Sequence, residues 1–175
     1  MPTSECHDFL VSEFFSMTLA ATTQRSNMYA PKLTEDQRKE FHDSLREALV
    51  ELATQYKRSV VDDAHVKNIL HLAQSLSGKH RALLNGGEMK FGHAQKALNL
   101  YLKYLWCLEL TEVPPHCPID SIILQKIPKF TQVRWTQLTD PTEYKSIIAA
   151  AKAQAAIKGL SIAAWELQEY NTSGA

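Results

Sequence analysis

The stretch FGHAQKALNLYLKYLWCL, from Phe91 to Leu108, decides the fold class of this 175-residue chain. Its apolar residues recur every three to four positions, which predicts an α-helix. They surround most of the helix: Leu98, Tyr101, Leu102, Leu105 and Trp106. A helix with such broad apolar cover belongs in the core. We therefore expect it at the centre of the protein, with one polar stripe formed by Lys96, Asn99 and Lys103.

Helical periodicity continues on the N-terminal side of this stretch. It predicts one helix from Ser4 to about Gln24 and a second behind a capping box at Thr34 and Gln37. A third helix is expected to start at Asp62 or Asp63 as the capping residue and to end at Gly78. The glycine pair Gly86-Gly87 then predicts a turn, because glycine accepts positive φ.

The C-terminal side predicts further helices. Asp140-Pro141 has the pattern of a helix start and leads an Ala-rich segment to about Lys158, and Ser161 can start a final helix. A short apolar stretch runs from 119 to 124, and the only strand candidate is 131–138. The sequence thus predicts an all-α protein, a single compact domain of about seven helices over residues 1–170, with a frayed tail at 171–175.

The composition is that of an ordinary globular protein. Nineteen basic residues balance nineteen acidic ones, and 45% of the chain is hydrophobic, which excludes collagen-like, mucin-like and highly charged disordered chains. Three cysteines imply no disulfide framework and favour a reducing compartment. The N-terminus lacks a signal-peptide pattern, and no apolar run approaches the roughly 18 to 20 residues of a membrane span. We therefore expect a soluble cytoplasmic protein with no membrane partner.

The zero net charge hides an uneven distribution. Residues 1–78 hold eight basic and eleven acidic side chains, whereas residues 79–145 hold nine basic and six acidic ones. The segment 79–103 contains five basic residues and one acidic residue, Glu88. An anionic partner such as DNA would therefore be restricted to one local basic face. The alternative is that this stretch is only solvated surface.

Two short motifs carry residues with catalytic chemistry. Gly92-His93-Ala94-Gln95-Lys96-Ala97 opens the central helix, and Pro118-Ile119-Asp120-Ser121 lies at the start of the next apolar stretch. A lysine that is partly desolvated can lose its proton and act as a nucleophile. An aspartate at a helix start can stay ionised and stabilise a developing cation. The 24 residues between Lys96 and Asp120 suffice for a helix and a return loop, which can bring both groups to one end of the fold.

At these residues the chain resembles the helix-hairpin-helix DNA glycosylases. Their hairpin follows Gly-x-Gly-x-Lys-x-Ala and their second motif is Pro-Val-Asp-Thr or Ser, and here Gly92, Lys96 and 118–121 match, with Ala94 in place of the second glycine. The resemblance covers about 45 residues and implies a turn-helix like a helix-hairpin-helix in the middle of the fold. It implies a Lys96 Schiff base with the deoxyribose carbon, Asp120 as the essential carboxylate, and hairpin amides on DNA phosphates.

The predicted site therefore has two parts. The predicted catalytic residues are Lys96 and Asp120, and the predicted reaction is base excision. The predicted nucleic-acid contacts are Lys90, Gly92, His93, Asn99, Lys103, Arg134 and Trp135, with Trp135 placed to stack on a base. We predict no cofactor and no metal, because Cys107, His116 and Cys117 have poor spacing for a zinc site.

Alternatives remain open from the sequence alone. Asp120 could be only an N-cap, Asn99 a buried amide that ties helices together, and Lys96 with Lys103 the solvent face of a core helix. Three functions compete: an enzyme acting on DNA bases, a non-catalytic nucleic-acid module, and a helical protein that binds another protein.

Overall fold

A computed structural model describes residues 4–173 and has seven α-helices, so the all-α prediction is confirmed. The helices are α1 (Ser4–Thr23), α2 (Glu35–Ala53), α3 (Asp62–His80), α4 (Phe91–Cys107), α5 (Ser121–Leu124), α6 (Pro141–Ile157) and α7 (Ile162–Ser173). Short 3-10 turns occupy Thr54–Lys57, Arg81–Leu83, Asn85–Gly87 and Trp135–Gln137.

Several local signals form as predicted. The Thr34 hydroxyl accepts the Gln37 amide, while the Gln37 side chain accepts the Thr34 amide, and this capping box starts α2. The Asp140 carboxylate accepts the Thr142 amide at 2.7 Å and starts α6. In the turn before α4, Gly86 and Gly87 have φ of 69° and 78°, a region that other residues enter at a cost.

Two boundary predictions for α3 are wrong. The N-cap of α3 is Val61, so Asp62 and Asp63 lie inside the first turn. Gly78 does not end α3, which continues to His80 because His80 is buried against the ring of Phe41. Packing of this last turn overrides the helix-breaking tendency of glycine.

The segments outside the helices also differ from expectation. Within residues 4–173 the candidate strand at 131–138 is a turn, and the backbone has only an isolated bridge between Tyr29 and Leu84. The predicted frayed tail is helical as far as Ser173, while residues 174–175 lie outside the described part of the chain.

The central helix α4 lies where the sequence places it. It packs against α1, α2 and α3, and every residue from Phe91 to Lys103 is buried. The polar stripe is buried as well, because α6, α7 and the segment between α4 and α6 cover it: Asn99 bonds to Tyr144, Lys103 to Glu166 and Lys96 to Asp120.

None of the helices between residues 4 and 173 is, by itself, both long and apolar enough to cross a membrane. Only α6 and α7 taken together reach that length and composition, and they are bent by 81° relative to each other.

Candidate functional site

Lys96 and Asp120 converge. The Lys96 Nζ atom lies 2.9 Å from Asp120 Oδ2, and the two side chains are 10% and 14% exposed. The ammonium also lies over the Trp135 ring, 4.8 Å from its centroid. An ion pair with so little solvent is screened far less than a surface pair. The two residues that the motifs predicted to act together therefore meet across 24 residues of sequence.

Asp120 is held from two directions. Its Oδ1 atom accepts the backbone amides of Ile122 and Ile123 at 3.0 and 3.1 Å and so caps α5. Its other oxygen, Oδ2, receives the Lys96 ammonium. The N-cap alternative and the pairing with Lys96 are therefore both present in one side chain, which fixes the carboxylate in a single orientation.

Gln95 aligns the two elements that carry this pair. Its Nε2 donates to the Ile119 carbonyl at 2.7 Å, and its Oε1 accepts the Ile119 amide at 3.1 Å. One amide side chain thus satisfies both polar groups of a buried backbone residue. Because Gln95 and Ile119 directly precede Lys96 and Asp120, these two hydrogen bonds set the register between the helix and the loop.

A second buried ion pair lies two turns further along α4. Lys103 Nζ is 3.0 Å from Glu166 Oε1 and 2.9 Å from Oε2, but only the Oε1 contact has hydrogen-bond geometry. Burial raises the pKa of Glu166, although the charge of Lys103 opposes this shift. The Lys103 ammonium also lies 4.6 Å from the centre of the Tyr170 ring.

Both pairs line one cavity of about 410 Å³. This volume is within the range of small-molecule sites. Its remaining walls come from four places: Leu100, Tyr104 and Cys107 on α4, Pro118 and Ile122 around α5, Leu167, Tyr170 and Asn171 on α7, and Ala21 on α1. Two lysines and two carboxylates therefore face an otherwise mostly apolar space.

Between the two lysines on the polar stripe of α4, a neutral network centred on Asn99 lies in the interior. Asn99 is fully buried: its Nδ2 donates to Gln95 and to the Tyr144 hydroxyl, and its Oδ1 contacts His65 Nε2 at 2.8 Å. The Tyr144 hydroxyl in turn lies 2.9 Å from His116 Nδ1. The sequence alternative of a buried amide tying helices together describes Asn99, and its predicted contact with nucleic acid is corrected, because no polar atom of Asn99 reaches the surface.

The proton positions in this network follow from its donors. Asn68 Nδ2 donates to the Tyr56 hydroxyl, whose own proton then goes to His65 Nδ1, so His65 Nε2 carries the proton given to Asn99. Burial lowers the pKa of His65 to about 4, consistent with this neutral ring. The network has one internally consistent direction, and His116 Nε2 is the atom in it that is left without a hydrogen bond.

The predicted hairpin contacts are also covered by protein. The Gly92 amide donates to the Leu138 carbonyl at 2.9 Å, and a Cβ at this position would lie 1.8 Å from the Trp135 carbonyl oxygen. His93 is buried with its Nε2 3.2 Å from the Ser26 carbonyl, and burial lowers its pKa to about 4. The glycine in the motif is thus required by the approach of the 135–138 turn. That turn occupies the place where the resemblance put a DNA phosphate.

The remaining predicted contacts divide by exposure. Trp135 is only 9% exposed, with one face toward Lys96 and an edge-on contact to His93, so its predicted stacking on a base is corrected. Arg134 is exposed, and Lys90 is half-buried with its ammonium 2.9 Å from Gln137. Of the predicted nucleic-acid residues, Lys103 is the one that lines the cavity.

Sequence reasoning missed Glu166 and the role of Gln95. Glu166 is 63 residues from Lys103, and no local pattern connects the two. Gln95 lies inside the motif itself, so its position was available but its partner was not. Cys107 is exposed although it lies on a broadly apolar helix, and Cys117 is the buried cysteine. Within residues 4–173 no group of three or more His, Cys, Asp or Glu side chains is arranged to hold a metal ion.

Comparisons with known proteins add no family. No protein-family model, no curated protein and no solved structure matches the chain.

Proposed function

We propose that the cavity binds a nucleotide extruded from DNA and that Lys96 and Asp120 act on its sugar. The observation that carries this proposal is the 2.9 Å contact between the two side chains at the wall of a 410 Å³ cavity. Enzymes that act on a base take it out of the stack into a pocket and pay the cost of unstacking by contacts there. Apolar walls with a few fixed polar groups suit a flat, partly polar base.

The chemistry assigned to the pair is nucleophilic. The Lys96 amine, after giving its proton to Asp120, attacks the C1′ carbon of the deoxyribose. The bond between C1′ and the base breaks, and its electron pair leaves with the base. Opening of the sugar ring gives an imine on Lys96, which water hydrolyses. Asp120 stabilises the cationic stages because its carboxylate is already oriented by the α5 amides.

Phosphate contacts in this proposal come from a different surface than the hairpin. Residues 121–139 include Lys126, Lys129 and Arg134 but no Asp or Glu, and these three side chains are exposed. The segment begins directly after Asp120, at the cavity. Lys126 reaches to within 3.9 Å of Glu169 on α7, the helix that forms another wall of the cavity. Exposed cations beside the pocket supply the sequence-independent part of DNA binding.

Borohydride trapping on duplex DNA with one abasic site tests this function. The wild-type protein is expected to form a covalent adduct, and Lys96→Met to form none. Lys79→Met is the matched control, because Lys79 lies on α3 and contacts Ser44 instead of the cavity. Absence of an adduct from the wild type, or an adduct of equal yield from Lys96→Met, would contradict the proposal.

A second candidate function is DNA binding without chemistry, which the acid-free segment 121–139 favours. In that case the slope of log affinity against log salt should fall by about one for each of Lys129→Ala and Arg134→Ala. Lys96→Met should leave the salt slope unchanged, since the Lys96 ammonium is 10% exposed and is held by Asp120 instead of a phosphate. Binding with these properties and no adduct on abasic DNA would select this candidate over the first.

A further inference from the structure

A second cavity, of about 210 Å³, lies between the start of α3 and the helix α6. It shares no lining residue with the cavity at Lys96. Charged and apolar side chains line it together: Asp62 and Val66 on α3, Ile148 and Lys152 on α6, and His116 on the segment that precedes α5. The proposed chemistry at Lys96 uses none of these residues.

His116 presents a proton to this cavity. Asn99 donates to the Tyr144 hydroxyl at 3.0 Å, so the Tyr144 proton goes to His116 Nδ1, which lies 2.9 Å away. Burial lowers the pKa of His116 to about 2, so the ring is neutral and its proton is on Nε2. The side chain is 2% exposed, and Nε2 makes no hydrogen bond. The donor at this end of the interior network is therefore free to meet a ligand.

A charged acceptor lies beside this donor. An unbonded nitrogen alone does not mark a site, since His93 Nδ1 also lacks a hydrogen bond. At His116, however, Asp62 Oδ1 is 3.5 Å from Nε2 without hydrogen-bond geometry, while Asp62 Oδ2 accepts the Lys152 ammonium. The cavity thus holds a donor and an acceptor side by side that are not bonded to each other.

The charges around the cavity balance. Lys152 pairs with Asp62, and Lys145 Nζ lies 3.0 Å from Asp63 Oδ1, so two ion pairs join α6 to α3. All four side chains are more than a third exposed. Ion pairs at this exposure contribute little to stability, so they can rearrange around a ligand at small cost. With a neutral His116, the cavity offers both signs of charge and no net charge.

We propose that this cavity binds a free α-amino acid with an aliphatic side chain. Its carboxylate accepts the His116 Nε2 proton and contacts Lys152, and its ammonium contacts Asp62 Oδ1. Both ligand groups are attached to one carbon atom, which matches a donor and an acceptor that lie side by side. The aliphatic side chain packs on Val66 and Ile148, which line the same cavity.

Other small ligands fit this cavity less well. A simple anion would meet the carboxylates of α3, and a simple cation would meet the lysines of α6 and the His116 proton, and such like-charge contacts are costly. A cavity of 210 Å³ is also below the roughly 300 to 1,000 Å³ of sites for larger ligands. The inference is independent of the function proposed for Lys96.

A titration with three matched compounds tests this site, with no DNA present. Side-chain NMR follows the His116 Nε2 proton as L-valine, isovalerate or isobutylamine is added. Isovalerate is valine without its ammonium, and isobutylamine is valine without its carboxylate. L-Valine is expected to shift the His116 signal to saturation. Each of the other two compounds should bind at least about tenfold more weakly, because one charged contact is lost.

Exposed side chains allow single contacts to be removed without disturbing the core. Asp62→Asn should weaken L-valine binding at least about tenfold and leave isovalerate binding within about threefold or tighter. Lys152→Met should weaken L-valine and isovalerate alike and leave isobutylamine unchanged. Lys158→Met is the matched control, because Lys158 follows α6, pairs with Glu169 and lies outside the cavity lining, and it should bind L-valine like wild type.

Every other outcome counts against the inference. No saturable shift with L-valine would leave His116 to water alone and overturn the site. Isovalerate that binds as tightly as L-valine overturns an amino acid as the ligand, as does an equal loss for Asp62→Asn and Lys158→Met. Adduct formation on abasic DNA is measured separately, so a failure of the Lys96 chemistry and a failure of this site are distinguishable.

Discussion

The two polar regions of α4 differ in charge and in access to open space. In the interior network around Asn99, amides, hydroxyls and neutral imidazoles satisfy one another in one consistent direction. At the cavity, the Lys96 and Lys103 ammonium groups meet the carboxylates of Asp120 and Glu166 beside open space. Residues one turn apart on a single helix therefore have different roles. A network of neutral groups specifies the fold, whereas charged pairs on a cavity retain capacity for a ligand.

The largest effect on stability is expected from a substitution of Asn99 in the interior network. Asn99→Ala removes the partners of His65, Gln95 and Tyr144 in a buried space, and each group left unsatisfied costs about 1 to 3 kcal/mol. We expect a loss of roughly 3 to 5 kcal/mol in the free energy of unfolding measured with urea. Asn68→Ala, at the half-buried end of the same network, should cost only about 1 kcal/mol. Equal losses in the two variants would show that burial does not set the strength of the network.

The next largest effect on stability is expected at Gly92, which the 135–138 turn covers. Gly92→Ala places a Cβ 1.8 Å from the Trp135 carbonyl oxygen, and backbone must move to accept it. We expect a loss of about 3 kcal/mol in the free energy of unfolding. Gly78→Ala is the control, because a Cβ there meets nothing within 4 Å inside α3, and it should stabilise the protein by roughly 0.5 to 1 kcal/mol. A neutral Gly92→Ala would contradict the close approach of the 135–138 turn.

The neutral state of the buried histidines gives a pH dependence. Burial lowers the pKa of both His65 and His93 to about 4, below the 6.5 of the unfolded chain. The unfolded state therefore takes up protons first, so the stability is full above about pH 6.5 and falls as the pH drops toward 4. The expected loss is about 2 kcal/mol per histidine between pH 6.5 and 4.5. Urea unfolding at several pH values measures this loss, and a flat profile would exclude a neutral sealed network.

The smallest effect on stability is expected at the cavity. Asp120→Asn keeps a side-chain oxygen for the α5 amides, because asparagine is also a good N-cap. Combined with Lys96→Met it removes both charges of the buried pair, so we expect the free energy of unfolding to change by about 1 kcal/mol or less, whereas Asp120→Asn alone leaves the Lys96 charge unpaired and costs about 3 kcal/mol. Adduct formation by Asp120→Asn on abasic DNA should fall by about a hundredfold or more. A large loss of stability with full trapping would assign Asp120 to the fold alone.

Much of this organisation is readable from local sequence. Periodicity places α4 at the centre, and caps such as Thr34 and Asp140 act within a few residues of their partners. The convergence of Lys96 with Asp120 also follows from two short motifs.

The missed features depend on partners far apart in the chain. Glu166 is 63 residues from Lys103, and Trp135 was expected at the surface because its segment is polar. Packing of the 135–138 turn on Gly92 buries the Trp135 ring, and no local sequence pattern predicts such a contact. Burial of the polar stripe on α4 likewise depends on how α6 and α7 return to it.

The most direct test of the central claim is to map the trapped adduct. After borohydride reduction with abasic DNA, protease digestion and mass spectrometry should place the deoxyribose remnant on Lys96, with Lys90 and Lys103 unmodified. This result would identify the cavity pair as the reactive part of α4. A remnant on Lys90 or another surface lysine, or a remnant spread over several lysines, would contradict the account.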